Sequence, residues 1–120
     1  MLYDILLDVG GTGIKGGYFN ADEKMISDSY YFISNSDKGK DVIINHFINI
    51  CSEIWDKIDD DNKKIRNIKM AFPGPFDYQK GISKIRGLAK YESLYSVSIP
   101  DEMIHRSNKG NYGFIPRNKS

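Results

Sequence analysis

The chain has 120 residues, with 17 Lys and Arg against 16 Asp and Glu and a formal net charge of +1, so charge makes no case for nucleic acid or an anionic membrane as partner. A single cysteine, Cys51, excludes an internal disulfide and the cysteine cluster of a zinc site. No apolar run is long enough to span a bilayer and no basic segment precedes an apolar signal core, so one cytoplasmic domain with a real core is expected.

Leu2 to Asp8 reads as a central strand, and Ile14 to Asn20 as its hairpin partner. Between them, Gly10-Gly11-Thr12-Gly13 gives a turn whose backbone can approach a ligand closely, so that successive N–H groups converge on a phosphate. Thr12 adds a hydroxyl and Lys15 a cation. Asp8, at the end of the first strand, suits a hydrated magnesium ion, which keeps several waters and takes only one or two carboxylates. The bland alternative is a glycine-rich hairpin turn that holds nothing. Gly11-x-Gly13-x-x-Gly16 matches the dinucleotide fingerprint in letters, but that fingerprint needs a helix to open within the glycines. Gly16-Gly17-Tyr18-Phe19 instead favours a returning strand. No Gly-x-x-x-x-Gly-Lys-Ser/Thr occurs, which excludes a P-loop.

Met25 to Ile33, weighted by Tyr30, Tyr31 and Phe32, is expected to be a third strand completing an antiparallel meander. Ser34 to Gly39 reads as a loop offering helix caps. Ile44, Phe47, Ile48, Cys51, Trp55 and Ile58 recur at three-and-four spacing and predict a helix over 40–59. Cys51 and Trp55 lie on its core stripe. His46 lies off it, exposed and with no metal role. Asp59 to Lys64 reads as a solvated loop rather than a cation site. Ile65 to Phe72 is a strand that can return parallel to the first by a right-handed crossover, ending in Pro73-Gly74-Pro75. Two short extended pieces flank a turn at Asp77 to Gly81, a short helix starts near Pro100, and 108–120 is expected to be a flexible tail. His105 reads as an ordinary helix residue.

Asp8-Val9-Gly10-Gly11-Thr12, followed by Lys15, resembles the phosphate-binding hairpin of the actin-like ATPase and sugar kinase superfamily. With Ala71-Phe72-Pro73-Gly74-Pro75-Phe76-Asp77, then Gly81-Ile82-Ser83 and Gly87-Leu88, the chain is similar to the ROK family of bacterial sugar kinases and repressors over about residues 2 to 107. That resemblance implies an α/β fold, the actin-like (ribonuclease H-like) N-terminal lobe: a three-stranded antiparallel meander, a helix and a parallel return strand. It implies ATP and magnesium as cofactors and transfer of a phosphoryl group to a hexose hydroxyl, with small-molecule sugar and nucleotide as partners. Asp8 would organise the magnesium through water. Gly10, Gly11, Thr12 and Gly13 would line the phosphates, with Lys15 at a basic position. Gly74 would bring backbone to a sugar hydroxyl, and Gly87 would lie along the same cleft.

The family's catalytic aspartate stands in an Asn-Asp-Ala motif after a strand that shortly follows the helix near residue 100. That motif, the second phosphate-binding segment and the Glu-x-Gly-His zinc motif do not occur in the chain. No catalytic residue is therefore assigned, no zinc site is expected, and the isolated chain is expected to be inactive. A lone lobe should expose an apolar face and self-associate. The alternative functions are a non-catalytic nucleotide- or sugar-binding or self-associating module and, against the missing helix, a dehydrogenase. A first strand at Leu2 leaves no place for an upstream helix-turn-helix, which disfavours the repressor branch.

Overall fold

The computed structural model describes residues 1–73, 76–77, 79–84, 90–103 and 116–118, of which 76 and 116–118 are described by backbone alone. Strand β1 (Leu2–Val9) occupies the middle of a mixed sheet. Its period of two sends Tyr3, Ile5, Leu7 and Val9 to one face, where all are buried. β2 (Gly13–Asn20) returns antiparallel, with Asp8 opposite Lys15 and Val9 opposite Ile14.

The third strand of the meander comes in two pieces, β3 (Met25–Ile26) and β4 (Tyr30–Ile33), both paired with β2. Ser27 makes the break. Its N–H donates to the Tyr18 carbonyl at 2.8 Å, but the Tyr18 N–H donates to Ser27 Oγ at 2.9 Å. A side-chain oxygen thus takes a place that a strand carbonyl would hold, and residues 27–29 leave the ladder. An unbroken strand over 25–33 was the expectation; the hydroxyl, which β propensity does not register, divides it.

Helix α1 (Lys40–Asp56) covers the buried face of the sheet through Ile43, Ile44, Phe47, Ile50, Cys51 and Ile54. It approaches β2 where Gly16 carries no side chain: a Cβ there would stand 2.6 Å from Ile54 Cδ1 and 3.0 Å from Leu7 Cδ2. Both atoms belong to packed core residues with little room to yield. Lys57 and Ile58 continue the hydrogen bonding for part of a turn, donating to Ile54 and Trp55. No side chain caps the N-terminus, where Gly39 stands; the serines that precede it bond elsewhere. His46 is half-buried rather than exposed, its Nε2 2.6 Å from the Ile33 carbonyl. Since that oxygen can only accept, Nε2 carries the proton.

The charged run after α1 is structural rather than merely solvated. Lys63 Nζ donates to the carbonyl of Trp55, in the last turn of α1, at 2.7 Å and to that of Ile58, just beyond the helix, at 3.0 Å, which suits the negative end of the helix dipole. Asp60 receives the Met1 ammonium and the Tyr3 hydroxyl, each at 3.1 Å. These bonds, the ammonium's first among them, hold its carboxyl below the ordinary value.

β5 (Lys64–Ala71) then pairs with β1 in parallel, completing the crossover. Its register shifts between Tyr3 and Asp4, leaving Arg66 without a partner opposite. The bulge turns the guanidinium onto Asp4, with Nε and Nη2 at 2.9 and 2.6 Å from the two carboxylate oxygens and Lys69 Nζ at 3.6 Å. Asp4 is fully buried on the face away from α1. The Arg66 hydrogen bonds outweigh desolvation and hold its carboxyl below the ordinary aspartate value.

A separate hairpin, β6 (Phe76–Asp77) and β7 (Ile82–Ser83), closes through Asp77 Oδ1, which accepts from the amides of Gln79 and Lys80, with Gly81 at φ 69°. Tyr91, Leu94, Ile99 and Met103 then add to the core beneath α1. Residues 99–103 are helical, with the Glu102 N–H donating to the Ser98 carbonyl. β8 (Pro116–Asn118), within the stretch expected to be a flexible tail, runs parallel to β5. The free edge of β5 offers it a ladder, and Pro116 stands at the first position, where a missing N–H is tolerated. The sheet order is β3-β2-β1-β5-β8, with β4 on β2 beside β3. Among the described residues no helix is long and apolar enough to cross a membrane.

Candidate phosphate-binding site

The hairpin between β1 and β2 is closed by the Gly10 N–H donating to the Gly13 carbonyl at 2.9 Å. A Cβ at Gly10 would lie 2.8 Å from that same oxygen, a backbone atom that cannot swing away, so glycine is required there by sterics.

The turn's carbonyls and amides have different fates. Gly10 O accepts from the Tyr91 hydroxyl at 2.6 Å, and Gly11 O accepts from Ser36 Oγ at 2.9 Å and Ser34 Oγ at 3.2 Å. The amides of Gly11 and Thr12 meet no acceptor among the described residues. The Gly10 and Gly11 carbonyls are thus satisfied by the protein, while among the described residues the Gly11 and Thr12 amides are left for something else. Two adjacent unpaired N–H groups on a glycine turn form the kind of concavity that takes an anion.

Asp8, Gly10, Thr12, Gly13 and Lys15 line one recess of 290 Å³, together with Tyr31. That volume stands at the lower end of the range of small-molecule pockets, about 300 Å³ and upward. Asp8 and Lys15 face each other across the strands and are both exposed, yet among the described residues neither forms an ion pair. Among the described residues no group of three or more His, Cys, Asp or Glu is arranged to hold a metal. A lone carboxylate such as Asp8, without an ion pair among the described residues, is a ligand of the kind magnesium takes, since that ion keeps several waters and needs only one or two carboxylates. On the same side of the sheet, a second cleft of 380 Å³ runs from Asp8 and Lys15 past Leu6 and Gly17 to Asp28 and Lys69.

Five of the six hairpin residues singled out from the sequence therefore meet in one recess. The sixth, Gly11, faces the Lys90 side chain instead. Gly74 and Gly87 lie outside the described residues. Sequence reasoning missed Ser34, Ser36, Tyr91 and Lys90. The serines read as helix caps, and their actual acceptor is 23 and 25 residues away. Tyr91 is fully buried at φ 57°, a left-handed backbone that a bulky residue rarely adopts, held by its own N–H donating to Ser36 O at 2.6 Å. Burial pushes its hydroxyl pKa up to about 12, so it stays a donor throughout the neutral and mildly alkaline range. The pairing of two serines two apart was the one available signal, and it is not specific.

The fold is that of the N-terminal lobe of actin-like kinases. A ROK family glucokinase from Streptomyces griseus, solved in complex with glucose and AMPPNP, superposes with a TM-score of 0.71 at 12% identity, over 98% of this chain and 33% of its own. A glucokinase from Parabacteroides distasonis gives 0.68 at 21% identity, over 98% and 30%. An inorganic polyphosphate/ATP-glucomannokinase from Arthrobacter sp. strain KM gives 0.68 at 16%, over 99% and 43%. The chain thus spans between about a third and two fifths of the length of these proteins. No protein-family model matches it, and no curated protein does.

Proposed function

We propose that this chain is the phosphate-binding lobe of a ROK-type sugar kinase whose complete form transfers the γ-phosphate of ATP to a hexose hydroxyl. The observation that carries the reading is the sorting of the hairpin: carbonyls of Gly10 and Gly11 tied down and, among the described residues, amides of Gly11 and Thr12 unpaired with Asp8 and Lys15 free beside them. It is supported by the likeness to a glucokinase solved with glucose and AMPPNP.

In this reading the chain's own groups position and neutralise rather than bond covalently, which is most of what phosphoryl transfer asks of a protein. The turn amides and the Thr12 hydroxyl would receive phosphate oxygens, and Asp8 would orient waters around magnesium, whose charge offsets that of the phosphates. Residues near Gly74 and Gly87 would meet the sugar. The base that accepts the hydroxyl proton is not assigned to any residue of this chain, so the isolated lobe is expected to bind without turning over.

Calorimetric titration with magnesium and ATP tests this, run beside a coupled assay over a panel of hexoses. Asp8→Asn and Thr12→Ala should each weaken binding about tenfold, the worth of one charge-assisted contact, while leaving the melting temperature in place. Equal affinity in both variants and wild type would remove the hairpin from the binding site.

A further inference from the structure

Resting on the phosphate reading of the hairpin, we infer that Lys90 is a phosphate-contacting residue of this site, a cation brought to the hairpin tip from a segment 79 positions beyond Gly11. The Lys90 side chain lies in the space that a side chain at residue 11 would occupy. An ideal Cβ on Gly11 would stand 2.7 Å from Lys90 Cδ, 3.0 Å from Nζ and 3.4 Å from Cε. The ammonium therefore rests against the very residue whose N–H meets no acceptor among the described residues. Lys90 is exposed, and among the described residues it makes no ion pair or hydrogen bond of its own. Gly11 does not carry a left-handed φ. What glycine provides at that position is room, and Lys90 fills it.

The backbone next to Lys90 is unusually fixed. Tyr91 follows it with φ 57°, its N–H bonded to Ser36 O and its hydroxyl to Gly10 O, each at 2.6 Å. Both anchor points belong to the structure that shapes the hairpin, so the root of Lys90 moves with the tip. A strained backbone of this kind persists where the surroundings over-determine it, which happens at ligand sites. Lys15 and Lys90 divide the tip between them: Lys15 shares the recess with Asp8, opposite it in the ladder, and Lys90 meets Gly11, which that recess leaves out. An anion seated on the Gly11 and Thr12 amides would gain from Lys90 a positive charge not offset by the Asp8 carboxylate.

The test uses inorganic tripolyphosphate, with and without magnesium, so that base and ribose contribute nothing to the affinity. Wild type, Lys90→Gln and Lys90→Arg are titrated calorimetrically, with thermal melts as the folding control. Lys90→Gln should weaken tripolyphosphate about tenfold, the loss of one charge-assisted hydrogen bond, and flatten the salt dependence of binding. Lys90→Arg should keep most of the affinity, and neither variant should melt differently from wild type. Wild-type binding with an unchanged Lys90→Gln affinity would overturn the role of Lys90 and leave the hairpin standing. No binding of tripolyphosphate or of magnesium ATP by wild type would overturn the hairpin reading, and Lys90 with it.

Discussion

At the scale of single residues, the hairpin is held by atoms that its own sequence does not contain. Tyr91 reaches Gly10 across 81 positions, and its removal leaves a carbonyl without a donor inside the protein. Tyr91→Phe is expected to destabilise the fold by about 1 kcal/mol, the usual net worth of a hydrogen bond, and to loosen phosphate binding at the same time. Urea denaturation beside calorimetry checks this; a loss of stability with untouched affinity would mean that the tip keeps its shape without Tyr91. The same residue marks the limit of reading a site from sequence. Gly10 was legible because its constraint is local, a Cβ against the Gly13 carbonyl three residues on. Ser34, Ser36, Tyr91 and Lys90 were not, because nothing specific within several residues of any of them points to the turn they contact. Asp8 and Lys15 stood between these cases, their pairing following directly from the register of a hairpin that the glycines announce.

At the scale of elements, α1 was plain in the spacing of its isoleucines, and the parallel return of β5 followed from a strand after a helix. Two interruptions were hidden. Ser27 breaks the third strand through a hydroxyl, and the bulge at Arg66 answers a carboxylate on a neighbouring strand that is 62 residues away in sequence. The Asp4–Arg66 contact fixes how β1 and β5 register, and it does so in a pH-dependent way. The folded pKa of Asp4 is lowered, so its contribution is fully present above the ordinary aspartate value of about 3.9 and is lost as pH falls through the lower folded value. Wild type should therefore lose melting temperature in that acid window. Asp4→Asn should start lower at neutral pH and show less of that decline, since its neutral amide cannot titrate there. Parallel curves for the two proteins, from pH 7 to pH 3, would show that the buried pair is not what acid attacks.

At the scale of the molecule, one face of the sheet is sealed by α1 and by Tyr91, Leu94, Ile99 and Met103, whereas the other carries the cleft between Leu6 and Lys69. Along the outer edge, Met25, Ile26, Tyr31 and Ile33 are 64 to 75% exposed. Among the described residues no further strand pairs with this edge, where only the Ile33 carbonyl is taken, by His46; an apolar edge of this sort invites a strand, and a second copy of the chain is the partner always at hand. Sedimentation should show a mass that rises with concentration, and Tyr31→Lys with Ile33→Lys should return it to that of a monomer; a monomer at every concentration would dismiss the idea. The distribution of aromatic residues has an optical consequence. Trp55, the only tryptophan, packs edge-on against Tyr3 with ring centres 6.3 Å apart, near the start of β1. The hairpin lies at the other end of that strand, about 20 Å away at the usual rise per residue. Tryptophan emission is thus a gauge of the frame and blind to the tip: phosphate bound there leaves it dark to the experimenter, and a colour shift on adding ligand signals that the whole sheet has moved.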